Sequence, residues 1–171
     1  MPPIRPLLRA LALALPLGTE AAAPPPAALP RQPVLNLEVA RTMVQACVRL
    51  AEQQGWRMNV AVADAGAGLL SFERMDRAFL GSVEVALDKA RFSARFPFST
   101  RFAGELAHGA GGQAPKVPGL QDIPGAITFA GGLPVTVEGV QVGGIGVSGG
   151  TPDEDERCAQ AGLDAVQARL R

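Results

Sequence analysis

One imidazole, His108, and a few charged side chains are the groups in this sequence that could hold or transform a ligand. His108 stands in Leu106-Ala107-His108-Gly109, at the end of a short predicted helix and before a Gly- and Pro-rich loop. There a ring nitrogen could ligate iron or carry a proton, and the same place suits a surface or capping histidine. Asp64 closes a predicted strand and Arg74 lies on its hairpin partner, which permits an ion pair that steadies the turn or a clamp on a small carboxylate. Lys89 falls between Asp88 and Arg91 on a predicted helix, so local helix pairing accounts for it, with contact to an acidic ligand as the functional alternative. Met43, Met58 and Met75 carry thioether sulfur, but their spacing reads as core. No nucleophile has an evident base beside it. Ser148 follows Val147 and so lacks the GxSxG elbow, and the single histidine precedes it, the wrong order for that fold. One histidine and no CxxC pair do not suit a zinc hydrolase either. The inventory favours binding over turnover.

The glycine-rich run Gly131 to Asp155 contains Gly144-x-Gly146-x-x-Gly149, which looks like a dinucleotide fingerprint. That motif needs a strand-helix-strand unit of roughly thirty residues. Only 22 residues follow Gly149, and they read as one helix with Thr151 as N-cap, Pro152 at the first helical position and Glu154 completing a capping box. Asp153, Glu154, Asp155 and Glu156 suit the positive end of that helix and would repel a phosphate. No nucleotide is expected. On the strand itself, Ile145 and Val147 share one face while Gly144, Gly146 and Ser148 share the other. Such bare backbone implies a close neighbour: a ligand, a helix of the same chain, or another subunit.

Stepping outward, helical spacing of Ala40, Met43, Val44, Cys47, Leu50 and Ala51 behind Asn36 predicts a helix over 36–54, ended by Gly55. Strands at 58–63 and 69–74 flank the turn Asp64-Ala65-Gly66. A second helix runs from Ser82 to Phe96, stopped by Pro97, and a short one spans 100–107. Strands follow at 126–130, 134–138 and 140–148, the last two joined at Glu138-Gly139. The expected fold is α+β, an antiparallel five-stranded sheet with helices packed on it. Phe92, Phe96, Phe98 and Phe102 fall close together and either pack the second helix or line an apolar slot. Cys47 and Cys158 lie on apolar stripes of two predicted helices. Buried thiols are the simpler reading, and a disulfide is permitted in an oxidising compartment.

The 171 residues, 47% hydrophobic and with zero formal net charge, suit one domain that buries its own core. Residues 1–22 read as a signal peptide, with Arg5 and Arg9 around a short Leu/Ala run and small residues at Ala21 to Ala23. A disordered tail is the alternative. Residues 23–34 read as a proline-rich linker and 35–171 as the domain. The expected location is periplasmic or secreted, with no membrane insertion once the leader is removed. Without the leader's charges, 14 basic stand against 15 acidic residues, and tyrosine is absent. Nothing here calls for nucleic acid.

Three segments, VAVADAGAGLLSFERMDRA (60–78), ALDKARFSA (86–94) and GGLPVTVEGVQVGGIGVSGGTPDEDERCAQAGLDA (131–165), together resemble the GlcG/HbpS family, also called the haem-degrading domain. The resemblance runs from about Leu35 to Arg171. It implies a profilin- or PAS-like α-β-α arrangement, assembly into homo-oligomers, a haem, tetrapyrrole or other small-molecule ligand, and in some relatives a sensor protein as partner. It sets Asp64, Arg74, Asp76, Lys89 and Ser148 on matched segments and His108 in the polar set between them, with Gly144 and Gly146 on the bare strand face and Asp155 at the acidic position after Ser148-Gly149-Gly150. Relatives that hold haem through a histidine near the first helix have no counterpart here, since 34–56 contains none. Iron would then fall to His108, the one metal-ligating candidate, or to an oxygen near the loop. The resulting expectation is an exported haem- or tetrapyrrole-binding protein without turnover. Two rivals are a hydroxy-acid binder or enzyme acting through Arg74, Lys89 and His108, and a partner module whose glycine face meets other subunits.

Overall fold

The structure is a computed structural model and describes residues 31–170. The expected leader and most of the linker fall outside them. Helix α1 (Leu37–Gln54) begins where the Asn36 side chain accepts a hydrogen bond from the Val39 amide and ends on Gly55 at φ 74°, a left-handed cap that glycine adopts without strain. Strands β1 (Asn59–Asp64) and β2 (Leu69–Arg74) form an antiparallel hairpin. Its turn is organised by Asp64, whose Oδ1 accepts from the Gly66 and Gly68 amides at 2.9 and 2.8 Å. Helices α2 (Ser82–Arg95) and α3 (Thr100–His108) follow, then strands β3 (Gly132–Val137) and β4 (Val140–Ser148) and helix α4 (Pro152–Asp164). Thr151 and Glu154 make the expected capping box on α4.

The sheet has four strands in the order β2-β1-β4-β3, every pair antiparallel. The fifth strand expected at 126–130 does not form. That segment lies against α3 instead, with the Thr128 carbonyl oxygen only 2.3 Å from where a Cβ on Gly104 would stand, so its backbone faces a helix rather than a sheet edge. β3 keeps the edge, where Pro134 lacks only a donor that nothing needs.

Period-two alternation divides the strands between two layers of helix. Val60, Val62, Ile145 and Val147 pack beneath α1 and α4, with Met43, Val44, Cys47 and Ala159. Ala61 and Ala63 face α2 through Ala90 and Ala94. A bulge opposite Val135 and Thr136 leaves Val142 without a partner in the register and turns it toward the α1 side. Gln141 points the other way, and its amide donates to the Ser93 and Phe96 carbonyls at the end of α2.

One further expectation changes, and one open choice is decided. Cys47 and Cys158 are not thiols: they are disulfide-bonded, with Cα atoms 4.7 Å apart, because α1 and α4 lie side by side on one face. The bare face of β4 is covered from within the chain. A Cβ on Gly146 would lie 2.2 Å from Ala86 O and Ala90 N, and one on Gly144 would lie 2.5 Å from Ala90 O and Ala94 N. The close neighbour is α2, which takes the place left open for a ligand or another subunit.

Candidate functional site

The polar centre of the domain is Lys89. Helix α2 lies so close to glycine backbone that its side chains reach past the sheet edge to the start of α4, and Lys89 is wholly buried there. Its Nζ donates to Asp155 Oδ2 at 2.7 Å and to the Val147 carbonyl at 2.8 Å, and stands 4.6 Å from the centre of the Phe129 ring. Two oxygens and an aromatic face thus surround the ammonium. Asp155 in turn accepts from the Gly150 amide at 2.9 Å. Burial pulls Lys89 below its ordinary value and pushes Asp155 above its own, each opposed by the attraction of the other.

Backbone without side chains makes that approach possible. Gly131, at φ 120°, would place a Cβ 2.6 Å from Lys89 Nζ and 2.7 Å from the Val147 carbonyl oxygen. The acidic first turn of α4 acquires partners one by one. Asp155 takes Lys89, Glu154 closes the capping box, and Arg101 of α3 bridges Asp153 and Glu156. A buried amine so enclosed ties α2 to the start of α4 and to the end of β4, and is shut off from any nucleophilic role.

The strip from Thr128 to Gly131 joins this centre to His108. The exposed imidazole of His108 ends α3, with Nε2 2.9 Å from Thr128 Oγ1. Phe129, the next residue, covers Lys89 on one side and is itself 44% exposed. His108 and Lys89 are therefore brought to the two ends of one strip, while the remaining candidates lie elsewhere. Asp64 and Arg74 are at opposite ends of their hairpin, because Arg74 pairs with Asn59 in register. Asp64 holds its own turn and the expected ion pair is absent. Arg74 opens with Glu52, Arg57, Glu73 and Asp76 onto a cleft of about 490 Å³ on the α1 side, away from Lys89. Ser148 continues the glycine face, 6% exposed and opposite Asn59.

Several contributors were invisible in the sequence. Local pattern alone reads Thr128 and Phe129 as strand, Asp155 as a helix-dipole residue and Lys89 as a partner of its neighbours on α2. Only the repeated small residues at 130–132 hinted at a crowded crossing. Among the described residues no cluster of three or more His, Cys, Asp or Glu side chains could hold a bare metal ion.

Fold and site together define a small antiparallel α+β domain, built around a helix seated on glycine, with one exposed imidazole beside an exposed aromatic ring. The chain belongs to the HbpS-like family of haem-degrading proteins, whose pattern matches residues 35–164. It is similar to a double mutant of Streptomyces reticuli HbpS, at 36% identity and a TM-score of 0.73 over 85% of this chain and 98% of that one. It is also similar to the chain of a PduOC–haem complex, at 26% identity and a TM-score of 0.69 over 77% and 94%. Protein GlcG of Escherichia coli K12 is 30% identical over 67% of this chain and 81% of its own length.

Proposed function

We propose that the protein binds haem or a related tetrapyrrole, holds it without turning it over, and works outside the cytoplasm. The observation that carries this reading is the His108–Thr128–Phe129 group, set in a family that includes a haem complex among its similar structures. His108 supplies a nitrogen donor, Thr128 orients the imidazole, and Phe129 offers an apolar face next to it. These residues fit one face or edge of a haem rather than an enclosing slot: four clefts of about 340 to 560 Å³ among the described residues have walls without His108. Bound haem would bring a redox-active iron with an open coordination position. The chain's own residues would set the donor, the polarity beside it and the exclusion of water on the Phe129 side.

Export is supported by the leader-like start of the sequence and by the buried disulfide, a bond that persists in oxidising compartments. The hydroxy-acid reading loses its geometry: Arg74 faces the α1 side and Lys89 is enclosed. The partner-module reading loses its surface, because α2 covers Gly144 and Gly146. Titration of the mature protein with hemin tests the proposal. A saturable Soret shift that is displaced or lost in His108→Ala is expected. No saturable shift would sink haem binding, and an unchanged one in the variant would remove His108 as the iron ligand.

A further inference from the structure

A second site lies on the outer side of α2, apart from His108. Phe92 and Phe96 stack there at 4.5 Å between ring centres, and with Ile123 and Pro124 they line a cleft of about 410 Å³, within the range that holds small ligands. Asp88, Arg91 and Arg95 stand along its α2 wall, with Gly125 across from Asp88. Three features keep it open and shaped. Gly125 takes φ 78°, and the Cβ it lacks would meet the Asp88 carboxylate at 3.7 Å, so a side chain there would narrow the mouth. The Gln141 amide ties down the Ser93 and Phe96 carbonyls and fixes the end of α2. Ile123 leaves 41% of its surface uncovered.

The charges are not balanced within the cleft. Asp88 stands 3.6 Å from Arg91, whereas Arg95 forms no ion pair among the described residues. One carboxylate thus faces two guanidinium groups beside an aromatic floor. We propose that this cleft binds a small carboxylate with an aromatic or branched apolar body, the body lying along the edge of the Phe92–Phe96 stack beside Ile123 and Pro124 and the carboxylate meeting Arg91 and Arg95. Guanidinium forks match carboxylates in geometry and charge, and the floor has no group to satisfy the hydroxyls of a sugar or a simple hydroxy acid.

The probe is 3-phenylpropionate, followed by backbone amide NMR shifts, with 3-phenylpropanamide as its uncharged match. Saturating shifts confined to residues 88–96 and 122–126 are expected. The amide should bind about tenfold more weakly or worse, as should the acid to Arg91→Gln/Arg95→Gln, the loss that goes with one charge-assisted contact. Ile123→Glu, which places a carboxylate in the mouth, should abolish the shifts while leaving the rest of the spectrum in place. Absence of shifts at millimolar probe, equal binding of acid and amide, or shifts that survive Ile123→Glu would each overturn the proposal. Hemin titration of the same variants should be unchanged, which keeps this site separate from His108.

Discussion

Lys89 and Asp155 form a buried ion pair, Nζ to Oδ2 at 2.7 Å. A buried ion pair gains little over a well-packed apolar pair, but removing one partner strands the other charge. Lys89→Met leaves the buried Asp155 carboxylate with only amide donors around it, and is expected to cost about 3–5 kcal/mol in urea unfolding. The double variant Lys89→Met/Asp155→Leu should recover a large share of that loss, and failure to do so would mean that packing rather than charge dominates. The single variant also carries a pH signature. Burial raises Asp155 above 3.8 even with Lys89 beside it, and without that cation it rises further. The folded state then holds a proton that the unfolded state releases, so stability falls as pH rises through the window above 3.8. The deficit of Lys89→Met relative to the parent should accordingly shrink on acidification. A deficit that is flat or grows toward acid pH would contradict a stranded carboxylate.

At the scale of elements, the seating of α2 on β4 is the contact that positions everything else. Gly146→Ala would put a methyl 2.2 Å from two backbone atoms of the helix. Backbone cannot swing aside as a side chain can, so α2 must lift, and a loss of about 1–3 kcal/mol or more is expected. Gly81→Ala meets nothing within 4 Å and should be close to neutral. Equal effects in the two would refute the close-packing account. The same contrast explains what could be read in advance. The Asn36, Gly55 and Thr151 caps, the Asp64 turn and the hairpin at Glu138-Gly139 depend on residues a few positions apart, and spacing alone discloses them. The alternation of β4 showed a bare face but not its occupant. The missing fifth strand, the pairing of Lys89 with Asp155 across 66 positions and the separation of Asp64 from Arg74 are settled by packing and register, which no local pattern carries. The family resemblance reached the candidate residues only as a set, and the fold divided that set between two faces of the sheet.

At the scale of the whole domain, the first and last α-helices among the described residues, α1 and α4, lie on the same face of the sheet and are locked by Cys47–Cys158 across 111 positions. A crosslink that far apart in sequence acts chiefly on the unfolded chain, shrinking the ensemble that folding must overcome, and in the chain-entropy account it contributes roughly 4–5 kcal/mol. Both cysteines are fully buried beside Met43 and Ala159, so mild reductant should reach the bond only when the helices part. Cys47→Ala/Cys158→Ala is expected to lower the urea midpoint and to steepen the unfolding slope, because the freed denatured chain exposes more surface. The hemin response should persist in whatever fraction stays folded, since His108 and Thr128 belong to the opposite layer, beyond the sheet. A variant with an unchanged midpoint would show that the α1–α4 interface is held by packing alone. One that loses hemin binding while still folded would show instead that the two layers are coupled through α4, which carries both Cys158 and the Asp155 that holds Lys89.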